Sequence, residues 1–372
     1  MGNKMITMGA AVFAAVGLAA AGHAQAATIY QFTGQTPGTT TTPVTGVFTG
    51  GFNDGTAYVT PTNSSNSYLQ FNATNTYTAT DDGSVTSVGQ LTFGTGSLAT
   101  VALNGTSLTD SGNLGSISGT TPIIENGSST TAATLTNSGG NSSLSAVIQD
   151  GGPASLSLAT SGSAYLRLFG ANTYTGGTTI GGSSTIEADN NSALGTGLVT
   201  LNGGTISDAS SHSISTTLAN NIAGSGTLSP YNVNLTLNGS LTGSGTFQRI
   251  QAGGQQPNSV FLGGNNSGFT GTMSVISGAL RFIGASSSSA SALWIDNVGG
   301  NYFSLGAVGT YQLGGLQGST AGAIYNGAGS GSDILTLGGR NDTLDNYSGS
   351  IGGGNNGSNG ANISVVKTGT GT

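Results

Sequence analysis

The chain has 372 residues and a formal charge of −7, and only 5% of it is charged, against roughly 25% in an ordinary globular protein. It contains 67 glycines and no cysteine, so stability must come from backbone hydrogen bonds and stacked side chains rather than disulfides. Lys4, Arg167, Arg249, Arg281, Arg340 and Lys367 are scattered singly, which argues against nucleic-acid binding by phosphate neutralisation.

Residues 1–26 read as a secretory signal peptide. Lys4 charges a short amino-terminal region, uncharged apolar and small residues fill 5–21, and Ala24-Gln25-Ala26 forms an A-x-A cleavage pattern before Ala27. The stretch is too rich in alanine and glycine for a membrane anchor, and no later apolar run approaches a spanning length. The expected destination is extracellular or the bacterial cell surface, with no membrane span in the mature chain.

Residues 27–165 hold short strand-like runs at 85–88, 91–93, 98–103 and 156–158. This part reads as an N-terminal cap followed by irregular β-helix rungs, with a small β-sandwich as the alternative. The Thr/Pro segment 39–43 reads as an exposed loop, and Asp81-Asp82-Gly83 as a turn.

Residues 166–372 repeat. Helical periodicity is absent, and strands of roughly 3–5 residues are punctuated by Gly and Asn, which tolerate tight corners. LFGANTYTGGTTI at 168–180 returns in looser form as LGGNNSGFTGTMSV at 262–275 and LGGRNDTLDNYSGSI at 337–351. A second family is IAGSGTL at 222–228 and LTGSGTF at 241–247, and KTGTGT at 367–372 resembles the start of another copy. Units too small to bury a face alone must stack on one another. The fold class is therefore all-β, a right-handed parallel β-helix (β-solenoid). At ~20 residues per rung and ~4.8 Å per layer it makes a rod of ~80 Å.

The 168–180 segment resembles the autotransporter-associated β-strand repeat of bacterial surface-protein passengers. The 262–275 copy lacks the second glycine after its aromatic, and the 337–351 copy has Ser348-Gly349-Ser350 there. The resemblance implies a surface stalk without catalytic residues. Autotransporters also end in a membrane β-barrel of alternating strands, and no such segment occurs up to Thr372.

Groups suited to chemistry are few. His23 leaves with the signal, and His212 lies between two serines with no nucleophile-elbow pattern, so it reads as a turn residue. A carbohydrate-active β-helix enzyme, the first alternative function, needs paired carboxylates. The candidates are Asp81 with Asp82, Glu187 with Asp189, and Asp342 with Asp345. Glu187 and Asp189 share one strand face, which alternation assigns to solvent. A calcium-dependent binding module, the second alternative, finds one degraded nonapeptide turn at 338–345. The aromatic residues, Trp294 among them, are expected to stack between rungs rather than to bind sugars. No catalytic, cofactor-binding or metal-ligating residue is assigned, no cofactor is implied, and the partners to expect are surface glycans or host and neighbouring-cell surfaces.

Overall fold

The computed structural model describes residues 27–32, 46–48, 51–54, 57–116, 121–208, 215–231, 233–251, 258–296, 302–319, 322–328, 331–343, 345–354 and 361–370. The signal segment, the 39–43 loop and His212 lie outside the described residues.

Parallel strands coil into a β-solenoid with three faces. One sheet of 21 strands wraps two faces. The third is a five-stranded sheet in the first half and a seven-stranded sheet in the second. Strands such as Val199–Asp208 and Thr310–Gly318 turn the corner between the two faces, with register shifts at the bend in the first case. The ladder does not break at residue 166: Leu156–Thr160 pairs with Thr178–Gly181, and Tyr165–Leu168 with Thr185–Ala188.

In-register parallel pairing places equivalent side chains directly above one another. Tyr30, Leu69, Leu91 and Leu114 form one inward file. It continues through Leu166, Ile186, Ile206, Leu228, Arg249, Val275 and Asp296. Ser142, paired with Leu166 and hydrogen-bonded to Leu114 N, joins the two halves. A dozen such layers at ~4.8 Å stand on the order of 50 Å tall. This is shorter than the ~80 Å expected, because many coils take more than the assumed ~20 residues: Tyr165 faces Thr185, but Ile334 faces Ser364.

A second file runs Leu108, Leu135, Leu158, Thr178, Val199, Ile222, Leu241. On the third face Leu218, Leu237, Leu262, Phe282 and Leu305 stack in turn. Each apolar residue in these files is essentially inaccessible, and full burial of a Leu or Ile is worth roughly 1.5–3 kcal/mol. The alternation of inward apolar and outward Thr, Ser or Asn follows from the two-residue strand period.

The aromatics stack within this interior. Phe282 lies 5.0 Å from Trp294 and 5.9 Å from Tyr311, ring centre to ring centre, and Trp294 is fully buried. At the amino-terminal end Phe32, Phe48, Phe52 and Phe71 form a cluster beneath the antiparallel strands Phe52–Asn53 and Tyr58–Val59.

The repeat motif has a structural meaning at its fifth position. Asn172 in the first copy accepts from Ile148 N (2.8 Å) and donates to Ala193 O (2.6 Å). Asn266 in the second accepts from Leu241 N (2.7 Å) and donates to Ser287 O (2.8 Å). Both are 1% exposed and satisfy main-chain groups of two other coils at a buried corner. Asn341 in the third copy is exposed, has φ +58°, and accepts from Thr370 N (2.8 Å) instead. The first copy's glycine pair is equally constrained. A Cβ on Gly176 would stand 2.6 Å from Leu156 O, and Gly177 has φ +87°.

Replacing Asn172 by Ala strands one donor and one acceptor in the interior, each worth about 1–3 kcal/mol. Urea unfolding of Asn172→Ala should show a midpoint well below that of the parent chain, whereas Asn341→Ala should barely move it.

Candidate functional site

The stacking that builds the core also builds files on the outer surface. On the first face Tyr68, Gln90 and Asn113 follow one another. Farther along the same file Asn141 is followed by Tyr165, Thr185 and Thr205. The bond from Leu114 N to Ser142 Oγ (2.9 Å) sets Asn141 beside Asn113. Next to this file runs Gln70, Thr92 and Gly115, then Ser143, Arg167, Glu187 and Ser207.

Between the two files lies an open groove of about 390 Å³ whose lining includes Gln70, Asn72, Gln90, Asn113, Asn141 and Ser143. Among the described residues no ionisable side chain lines it. Asn72 Nδ2 donates to Gln70 Oε1 at 3.2 Å. The amides of Gln90, Asn113 and Asn141 have no hydrogen-bond partner among the described residues. A strand-period reading of 64–93 foretells that Gln70, Gln90 and Thr92 point outward. Their convergence depends on register between coils, which the sequence does not display.

The groove's file ends at an ion-paired cluster. Arg167 Nε lies 2.9 Å from Glu187 Oε1, and Arg167 Nη2 lies 2.8 Å from Asp189 Oδ2. The Tyr165 hydroxyl donates to Glu187 Oε2, and the guanidinium lies 5.0 Å from the centre of the Phe169 ring. The side chains of Glu187 and Asp189 are 0% and 1% exposed, so the solvent-facing expectation for this pair is corrected. Glu187 does lie on the outer side of strand Thr185–Ala188, with Asp189 just past its end, but Arg167 and Tyr165 of the preceding coil bond to them there. One arginine thus bridges two carboxylates, Glu187 and Asp189.

The other sequence candidates are separate from this cluster. Asp81 is a turn residue, its Oδ1 accepting from Gly83 N at 3.0 Å, but it is fully buried, which the turn reading does not foresee. Asp342 Oδ2 pairs with Arg340 Nε at 2.7 Å, and Asp345 Oδ1 accepts from Gln317 Nε2 at 3.4 Å. Among the described residues no three His, Cys, Asp or Glu side chains are grouped to hold a metal ion.

The interior carries charge that sequence reasoning missed. Arg249 stands in the apolar file between Leu228 and Val275, fully buried. It donates to Ala279 O (Nε, 3.2 Å) and to Asn258 O, and it passes over Gly278, where a Cβ would fall 2.7 Å from its Cζ. Burial pulls its pKa down to about 10, opposed by the charge of Asp208. Burial likewise pushes the carboxyls of Asp81, Asp110, Asp208 and Asp296 up to about 6, with backbone N–H donors opposing the rise in each case. Alternation from Phe247 does assign Arg249 to the inside; the improbability of a buried arginine hides it.

No family model, no curated protein and no solved structure matches this chain.

Two stability tests follow from these groups. The four buried aspartates bind protons more tightly in the folded than in the unfolded chain, where a carboxyl titrates near 3.8. Their contribution is therefore greatest at low pH and is lost as pH rises through about 6. The urea midpoint should climb as pH falls from ~7.5 to ~4.5, and Asp208→Asn with Asp296→Asn should flatten that climb. A midpoint that drops over this interval contradicts the burial assignment. Separately, Arg167→Met removes the cation from the covered carboxylates of Glu187 and Asp189, and at neutral pH should cost about 3–5 kcal/mol. Adding Glu187→Gln and Asp189→Asn should recover much of that loss.

Proposed function

We propose that the chain is an exported, non-catalytic β-helix that serves as a structural or adhesive stalk at a bacterial surface, of the autotransporter-passenger kind. The observation that carries this reading is the file of stacked residues from Tyr30 to Asp296, held by main-chain ladders and, between Leu114 and Ser142, by a side-chain hydrogen bond. Such a rod holds its lateral faces clear of whatever anchors it. The signal-like residues 1–26 and the resemblance at 168–180 supply the direction of export and the surface setting.

Low charge and closely paired backbone suit exposure. Proteases need locally unfolded chain, and a strand bonded on both sides opens only when its neighbours give way. The carboxylates that an enzymatic reading requires are instead held by arginines at Glu187, Asp189 and Asp342.

Expression of the full gene in a Gram-negative host tests the proposal. Amino-terminal sequencing should find the mature chain starting at Ala27, and antibody should label intact cells or capture the chain from the medium. Deleting residues 2–26 should retain it in the cytoplasm. A cytoplasmic chain still beginning at Met1 in the undeleted strain would falsify the export reading.

A further inference from the structure

We infer that the groove between the Gln90–Asn113–Asn141 file and the Gln70–Thr92–Ser143 file is a binding site for a neutral polysaccharide. The inference rests on the stalk reading only for where such a glycan is met; the recognition itself lies in the side chains of this face.

Three observations converge on this ligand class. The first is the donor and acceptor set. Each carboxamide offers two N–H donors and a carbonyl acceptor, and each sugar hydroxyl both donates and accepts, so an amide file matches a run of hydroxyls. The amides of Gln90, Asn113 and Asn141 have no partners among the described residues and face the groove, whereas the core asparagines Asn172 and Asn266 each donate to one main-chain group and accept from another. The groove thus holds amides with free capacity.

Charge supplies the second argument. Among the described residues no ionisable group lines the groove, although the file through Ser143 reaches Arg167 one coil and Glu187 two coils farther on. An anionic glycan or a phosphate would need a cation there, and those nearby are already paired. A neutral chain loses nothing by their absence.

The third argument is the backbone. Strand Ser87–Phe93 pairs with a strand on each side, and Leu108–Ser116 pairs with it from Thr109 to Ser116 and with Ala133–Asn137 at Leu108–Asp110. Beyond Asn113 the coil that carries Asn141 is joined through side chains, Leu114 N donating to Ser142 Oγ and Ser145 N to Ser116 Oγ, so the groove crosses the outward side chains of successive coils. Side-chain groups recur at the ~4.8 Å rung spacing, a periodic surface suited to a periodic ligand.

Native affinity electrophoresis of the purified exported chain tests this. The gels carry soluble neutral glucan, galactan or mannan, with polyuronate and sulfated glycan as anionic counterparts, at ~0.15 and ~0.5 M salt. At least one neutral polysaccharide should retard the chain equally at both salt concentrations. The combined variant Gln90→Ala, Asn113→Ala, Asn141→Ala should weaken retardation by about tenfold or more. Thr179→Ala with Thr200→Ala, on a different face, should leave it unchanged. If the triple variant melts early, Asn113→Glu at an exposed position replaces it and should have the same effect on binding.

Retardation by no neutral polysaccharide, salt-sensitive retardation by anionic glycans alone, competition by polar peptides but not by sugars, or full retention of binding in the variants each overturns the inference. None of these results bears on export, which the mature amino terminus decides.

Discussion

Parallel in-register pairing is the constraint on which the rest of this protein depends. Once two coils share a register, every inward side chain sits ~4.8 Å from its equivalents above and below, and every outward one does too. The core is therefore built as files rather than as a three-dimensional jigsaw. Leu166, Ile186, Ile206 and Leu228 satisfy one file because they are similar in size and shape. A one-residue slip would turn the whole file to solvent, so the apolar alternation holds the register as firmly as the hydrogen bonds do. Each layer contacts mainly its neighbours, and stability is accordingly distributed along the rod.

The polar inclusions are the points where this simple rule is relaxed, and each is supported locally. Arg249 enters an aliphatic file only because Gly278 has no Cβ and because Ala279 O and Asn258 O accept its protons. Asp208 and Asp296 take main-chain donors at corners where the ladder leaves N–H groups over: Val233 N on Asp208 and Ala323 N on Asp296. Corner asparagines perform the same service without charge. These groups fix where a coil turns, at the cost of desolvating carboxyls that an amide could replace.

Much of this was legible in the sequence. The two-residue alternation, the glycine and asparagine punctuation and the repeated units identify stacked β-coils, because each is a local signature of that geometry. IAGSGTL and LTGSGTF do stack, with Ile222 facing Leu241. Their alignment then slips: Leu228 faces Arg249 rather than Phe247, which faces Gly226. Motif alignment cannot reveal that slip, because it arises in a break of the ladder between the Leu241–Thr242 and Thr246–Arg249 strands. The shielding of Glu187 was hidden for a related reason. Alternation tells which side of a strand a residue occupies, but not what the preceding coil lays across it. Rung length escaped too, since loops of unequal size separate strands of nearly equal length.

The same distinction explains where recognition can reside on such a rod. The interior files are held by shape and tolerate few exchanges, and the corners are held by hydrogen bonds that use up their polar groups. Outward files carry neither burden. A residue such as Gln90 or Asn113 can change without disturbing its coil, yet the register fixes its spacing from the next file member as strictly as in the core. The outer face thus combines free choice of side chain with an enforced period. Of the outward stretches on this face, the Arg167 cluster spends its polarity on itself, whereas the amide stretch from Gln90 to Asn141 keeps its capacity open. An open, uncharged and periodic set of donors and acceptors selects a ligand with the same three properties, and it owes that selectivity to the backbone ladder rather than to a pocket.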